Sequence, residues 1–355
     1  MRMAWAAWSE PLPKPRRHTR RVVLVFGLAA LLSDSGAAAT AQQSGYFRIG
    51  TANTTGTYFQ VGAVLASAIS APAALPNCQP GGTCGVPGLV AVALATRGSV
   101  ENVQMLALGQ LDSALVQADI ASWAFHGTHL YANKPVAGLR AIAALFPESI
   151  HIIVRRDGPI RSLRDLKHRH VSLGEKESGT LAVSRLLLDA AGLKEHELKP
   201  EYLGLAEAAA ELSSGTLDAF FLIGGVPLPA VTDLASTTPI RLLPITGDMA
   251  QKLPARDPLL TPTTVQAGAY PDVDEETPTV AVNAIWAVTA AATDELIYQI
   301  TKALWNDATQ RLIALRQPTV GRMTLANALD GVDIPLHPGA ERFYREAGVH
   351  DAVGR

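Results

Sequence analysis

Phe47-Arg48-Ile49-Gly50-Thr51-Ala52-Asn53-Thr54-Thr55-Gly56-Thr57 and, 123 residues further on, His170-Val171-Ser172-Leu173-Gly174-Glu175-Lys176-Glu177-Ser178-Gly179-Thr180 carry the same pattern. Each reads as a short strand, a Gly-bounded polar loop and the start of an apolar helix. Downstream the echo continues: Gly109, Leu111, Asp112 and Leu115-Val116 are matched by Gly215, Leu217, Asp218 and Phe221-Leu222. Glu101 and Leu106 find counterparts in Glu207 and Leu212. Two similar α/β lobes are the simplest reading.

Between the echoes the chain alternates strand and helix. Tyr58 to Ser70 places Val61, Leu65, Ala68 and Ile69 on one helical face, and Leu89 to Thr96 reads as a buried strand. A helix from Ser99 to Leu108 and a strand from Ser113 to Val116 follow. In the second half the pattern predicts a strand at Val171 to Leu173, a helix from Thr180 to Ala191 and a strand near Ala219 to Ile223. The fold class expected is α/β, with two lobes. Each lobe would be a mainly parallel sheet flanked by helices, with a hinge and a central cleft. Ile150 to Val154 reads as a strand leaving the first lobe, and Val280 to Val288 as the return. The expected division is 42–154 for the first lobe, 155–277 for the second and 278–355 for the return. The Pro- and Thr-rich span from Pro239 to Pro278 is expected to be irregular, and Asp294 to Leu315 helical.

The first 41 residues stand apart. Arg16, Arg17, Arg20 and Arg21 precede an apolar run from Val22 to Leu32, then Ala39-Thr40-Ala41, the three regions of a secretory signal peptide. Export to the periplasm is the expectation. Those residues hold six Lys/Arg and two Asp/Glu, so their removal takes the formal charge from -2 to -6. A nucleic-acid partner does not fit that balance. Cys78 and Cys84 flank a turn-forming segment, and in an oxidising compartment a disulfide is expected, with two free thiols as the alternative. Closing so short a loop contributes roughly 2 kcal/mol by the chain-entropy model.

Chemistry is expected in the loops. Helix N-termini offer unpaired N–H groups and the positive end of a dipole, so two related loops delivered to one cleft favour an anion. Thr51, Thr55, Gly56, Thr57 and Tyr58 in the first lobe and Ser178, Gly179 and Thr180 in the second are the leading ligand candidates. Ser99 and Asn102 open a further helix and are read as ligand contacts or, alternatively, as an N-cap and a packing amide. Gln117 and Gly225 follow strand ends, where open α/β sheets bind ligands. Asp119 is read as a contact or a helix cap. Arg97 and Lys176 would suit a carboxylate, and Glu177 an ammonium. Enzyme signatures are missing: Gly50 to Gly56 lacks the spacing and lysine of a phosphate loop, and no nucleophile elbow or dinucleotide fingerprint occurs. The pairs His126 and His129, and His168 and His170, have no acidic third ligand on the same face, so neither metal nor cofactor is expected.

Ile49-Gly50-Thr51 with Gly56-Thr57-Tyr58, Gly98 to Asn102, Ala114 to Gln117, Ser178-Gly179-Thr180, Asp218 to Phe221 and Ile334 to Gly339 resemble the TAXI family. These are the solute-binding subunits of tripartite ATP-independent periplasmic (TRAP) transporters. The resemblance implies a two-lobed periplasmic-binding-protein fold of type II kind and a monomeric, non-enzymatic periplasmic receptor that closes on a small organic acid or amino acid, such as glutamate or 2-oxoglutarate. It also implies TRAP membrane permease subunits as partners, driven by an ion gradient. An ABC-type binding protein or a ligand-presenting partner of a membrane sensor are the alternatives. Two positions depart from the family: Glu177 stands where Gly commonly precedes Ser-Gly-Thr, and Arg97 where a small or amide side chain is usual.

Overall fold

The stretch from Phe47 folds as its pattern predicts, into strand β1 (Phe47–Gly50), a loop and helix α1 (Thr57–Ile69). The structure, a computed structural model, describes residues 46–71, 85–317 and 323–349. The leader expected over residues 1–41 and the pair Cys78 and Cys84 lie outside the described residues. After α1 come β2 (Ser70–Ala71), β3 (Val86–Pro87), β4 (Ala91–Leu94), α2 (Ser99–Ala107), β5 (Ser113–Gln117) and α3 (Ala118–His126). The long strand β6 (Leu139–Arg155) leads to β7 (His170–Ser172), α4 (Gly179–Ala190), β8 (Lys199–Glu201), α5 (Leu205–Ser214) and β9 (Ala219–Gly224). Next are α6 (Pro229–Thr237), β10 (Ile240–Leu242), α7 (Gly247–Arg256), β11 (Thr261–Val265) and the second long strand, β12 (Thr277–Thr289). Helices α8 (Asp294–Leu304), α9 (Asp307–Arg316) and α10 (Pro338–Glu346) complete the order.

One ten-stranded sheet runs β4-β1-β5-β12-β6-β9-β7-β8, with β10 paired to β6 and β11 to β12 off that path. Its two ends are parallel: β1 lies between β4 and β5, and β7 between β8 and β9. The middle is antiparallel, where β12 joins β5 to β6 and β6 joins β12 to β9. Strand β6 pairs with β12 up to Ser149 and with β9 from Ser149 onward, so one continuous strand passes from the first half to the second. Strand β12 makes the same passage in reverse, leaving β11 at Ala281 and reaching β5 from Ala284.

The echo in the sequence is an echo in hydrogen bonding. Asp112 accepts the backbone N–H of Arg48 at 2.7 Å, and its own N–H donates to the Arg48 carbonyl at 3.1 Å. Asp218 does the same for His170, at 2.9 Å in both directions. Each aspartate follows a left-handed glycine, Gly109 at φ 67° and Gly215 at φ 82°, and each ties the first strand of its lobe to the turn before the third. Each carboxylate satisfies a strand N–H that no strand partner reaches.

Three expectations need correction. The span from Pro239 to Pro278 holds β10, α7 and β11, because pairing with β6 and β12 supplies order that local composition does not advertise. Strand β6 begins at Leu139, eleven residues before the expected start at Ile150, its apolar run masked by Pro147 and Glu148. The predicted helix from Asp294 to Leu315 is two helices: Asn306 caps the second, its Oδ1 accepting from Thr309 N at 2.8 Å. Apolar spacing continues across the break, so only the cap betrays it.

Candidate functional site

Helices α1, α2, α4 and α5 all begin at one cavity between the two halves of the sheet, which has a volume of about 70 Å³. By the same measure a water occupies roughly 10–15 Å³, so there is room for on the order of five. The first lobe contributes Asn53, Gly56 to Tyr58, Gly98, Ser99 and Gln117; the second contributes Gly174, Glu175 and Ser178 to Thr180. Helices α1, α2 and α5 start at Gly56, Gly98 and Gly204 without a side-chain cap, although in α2 the Glu101 N–H is taken by the Glu177 carbonyl, which leaves the amides before it for an acceptor. Helix α4 is capped: Ser178 Oγ accepts from Leu181 N at 3.0 Å.

Beyond these loops the walls are unlike each other. Leu203, Leu205, Ala208, Phe220 to Ile223 and Leu228 form an apolar side that belongs to the second lobe. Opposite them is a polar relay. Ser99 Oγ accepts from Gln117 N at 3.1 Å, and the Tyr58 hydroxyl donates to Glu148 Oε2 at 2.6 Å. Gln117 and Glu148 are 3% and 2% exposed, and Gln117 Oε1 has no hydrogen-bond partner. Burial pushes the Glu148 carboxyl up to about 8, against the opposing pull of the Tyr58 hydrogen bond. The Tyr58 hydroxyl is likewise raised, first by burial and then by the Glu148 charge.

Asp119 stands behind this relay and does not line the cavity. It is fully buried, its Oδ1 accepts from Ile120 N at 2.7 Å and its Oδ2 has no partner. Burial, then the neighbouring Asp257 carboxylate, raises it to about 8. Asp257 itself accepts from the buried indole N–H of Trp123 at 2.7 Å. On the same long strand His151 is held neutral, burial pulling it down to about 4. Its Nδ1 lies 2.9 Å from the Ser149 carbonyl and its Nε2 2.9 Å from the Tyr270 hydroxyl, which accepts from Leu228 N at 3.2 Å. A neutral ring donating to Ser149 and accepting from Tyr270 satisfies every group in that chain.

Across the mouth the lobes touch. Glu101 N donates to the Glu177 carbonyl at 3.0 Å, Gly225 N donates to Thr57 Oγ1 at 3.3 Å, and Arg97 is paired with the Glu177 carboxylate. Arg97 N also donates to Glu101 Oε2 at 2.6 Å. Closest of all is Gly179: a Cβ there would lie 2.1 Å from Gln117 Oε1 and 3.0 Å from Ser99 Oγ. Glu177 occupies the left-handed region at φ 64°, a conformation that costs a side chain about 1 kcal/mol relative to glycine. That explains why glycine suits the position, and the pairing with Arg97 is what this chain has in its place.

Of the candidates read from sequence, Gly56, Thr57, Tyr58, Arg97, Ser99, Gln117, Ser178, Gly179 and Thr180 line the cavity. The others lie outside it. Thr51 Oγ1 donates to the Leu94 carbonyl at 2.7 Å, and Thr55 to Asn53 Oδ1 at 2.9 Å. The Asn102 amide bridges the carbonyls of Thr51 and Leu115 at 2.7 and 2.8 Å, the packing alternative rather than the ligand one. Lys176 lies over the Tyr202 ring at 5.5 Å, and Gly225 meets Thr57. Arg97 and Glu177, expected to meet opposite charges on a ligand, meet each other. The lining residues outside the sequence candidates include Glu148, hidden beside Pro147 in an unexpected strand, Asn53 and Glu175 in the two loops, and the apolar wall, which reads as ordinary core.

The family model described as the NMT1-like family matches residues 49–348, and the chain belongs to that family. Among solved structures it is similar to PhnD1 from Prochlorococcus marinus in complex with methylphosphonate, at 11% identity and a TM-score of 0.50, over 86% of this chain and 99% of that one. It is also similar to the alkanesulfonate-binding protein SsuA from Xanthomonas axonopodis pv. citri bound to MOPS, at 17% identity and a TM-score of 0.46, over 84% and 83% of the two chains. The likeness to PhnD1 shows a shared fold, an α/β scaffold with helices flanking a largely parallel sheet at each end.

Proposed function

We propose that this member of the NMT1-like family is a periplasmic solute-binding receptor, which captures a small organic anion or amino acid between its lobes and presents it to a membrane transporter. The observation that carries the reading is the convergence of three uncapped helix starts on one interlobe cavity, each able to donate backbone N–H groups to an acceptor oxygen. The apolar wall from Leu203 to Leu228 would shelter the carbon skeleton. Sub-micromolar capture requires more than about 8 kcal/mol, which several hydrogen bonds to a charged group supply at roughly 1.5–3 each. The chain passes between lobes twice, inside β6 and inside β12, and these passages are the proposed hinge. Cross-lobe contacts then form on closure and change the outer surface that a transporter reads.

The sequence motifs favour a TRAP permease as that transporter and glutamate- or 2-oxoglutarate-like acids as cargo. The similar solved structures include receptors for sulfonates and phosphonates, so those anions belong in the same screen. Thermal shift of the mature chain across carboxylates, amino acids, sulfonates and phosphonates tests the receptor reading, because a ligand of the folded state raises the melting temperature with concentration. Uptake by vesicles holding a candidate permease tests the transporter. Dependence on an ion gradient supports TRAP, and dependence on ATP replaces it with an ABC transporter.

A further inference from the structure

The walls of the cavity are not chemically symmetric, and the asymmetry bears on what the solute must carry. Among the described residues that line it, the charged ones are Arg97, Glu148 and Glu175. Arg97 is the single cation, and it is spent at the mouth on Glu177 and Glu101. Deeper in stand a buried amide and a buried carboxyl. Gln117 turns an unpartnered Oε1 toward Gly179, and Glu148 brings a carboxyl with one oxygen held by Tyr58. Both side chains are more than nine-tenths buried. A buried acceptor without a donor is costly, so a site that leaves one facing a cavity is built to have the donor arrive.

We infer that the Gln117 and Glu148 end of the cavity is a subsite for a protonated amine, so that the solute is a small zwitterion with its acid group at the uncapped helix starts and its amine against Glu148. The inference rests on the receptor reading and narrows it: oxo acids, plain dicarboxylates, sulfonates and phosphonates without an amine leave Gln117 Oε1 without a donor. A buried neutral carboxyl can donate to only one acceptor oxygen, whereas one facing an ammonium is restored to its ionised form. Docking of the amine should therefore expel the proton that Glu148 holds near neutrality in the empty cleft. Tyr58 keeps the other oxygen fixed throughout, which sets the direction from which the ammonium approaches.

The test is calorimetric titration of the full mature chain with matched pairs that differ only in the amine, each amino acid set against its 2-oxo and 2-hydroxy partner and each aminoalkyl sulfonate or phosphonate against its plain alkyl analogue. The expected result is tighter binding of the amine member by on the order of tenfold or more, with proton release seen as a dependence of the apparent heat on the buffer's ionisation enthalpy. Glu148→Gln, which keeps shape and the hydrogen bond to Tyr58, should erase both the preference and the proton release. Equal or tighter binding of the amine-free members overturns the inference and leaves the receptor reading intact. So does a preference that survives Glu148→Gln in a variant whose melting temperature matches wild type. Absence of binding by every member of every pair overturns the receptor reading itself, and the inference with it.

Discussion

Gly179→Ala is the substitution whose effect the geometry fixes best. The added Cβ would sit 2.1 Å from Gln117 Oε1 and 2.6 Å from its Cδ, where ordinary contact begins at 3.4 Å. Gln117 is buried, so either its side chain is displaced or the lobes stay apart by about 1.3 Å, the difference between 2.1 and 3.4 Å. A gap of that size breaks the hydrogen bonds from Glu101 N to the Glu177 carbonyl and from Gly225 N to Thr57 Oγ1, drawn at 3.0 and 3.3 Å. Each is worth about 0.5–1.5 kcal/mol net, and together they amount to roughly 1–3 kcal/mol of closure, or about 5- to 150-fold in affinity. The fold itself should not suffer. Gly179 is the first residue of α4 with no positive φ, and alanine there is worth up to about 1 kcal/mol to the helix. Calorimetry reads the affinity, and small-angle scattering with saturating solute reads the closure. Adding Gln117→Ala removes the atom that is struck, so the double variant should close again even though one ligand contact is gone. Wild-type affinity and wild-type compaction in Gly179→Ala would refute the reasoning.

Other expectations follow from single side chains. Glu148 has a folded pKa raised from 4.5 to about 8, so its contribution to stability is present below the unfolded value and is lost as pH rises through the folded one. The unfolding free energy of the ligand-free protein from urea titration should fall between pH 4.5 and about 8, and Glu148→Gln should reduce that slope, with Asp119, also raised to about 8, supplying the rest. Glu177→Gly relieves a left-handed residue and removes a half-exposed ion pair, so stability should stay within about 1 kcal/mol while affinity loses its dependence on salt. Asp112→Ala and Asp218→Ala should each destabilise by about 1–3 kcal/mol in denaturant titration, Asp112 more because it also holds the Arg48 guanidinium at 2.8 and 3.1 Å.

The duplicated strand, loop and helix pattern was legible because backbone geometry writes it locally. Glycines mark the loops, helical spacing marks α1 and α4, and Asp112 and Asp218 recur at the same offset from their strands. The region from Ile240 to Val265 was not legible, since its strands exist through pairing with β6 and β12 and sequence-distant partners leave no local trace. The site divided the same way. Gly56, Ser99, Gln117 and Gly179 sit at helix starts or strand ends, where topology alone raises the prior. Glu148 lies inside a strand, and nothing in Phe146-Pro147-Glu148-Ser149 distinguishes a cavity-lining carboxylate from a surface one. Thr51 and Asn102 are polar residues beside the right loop that serve its backbone, a distinction made by partners 43 and 13 to 51 residues away.

The structure of the protein with the solute that raises its melting temperature most, chosen by the screen above, decides whether the interlobe cavity is a receptor site. The solute should lie between Gln117, Glu148 and the first turns of α1, α2 and α5, with both lobes in contact with it. Density for the solute on an outer face, with the cavity unchanged, would contradict that placement and remove the basis for a closing receptor.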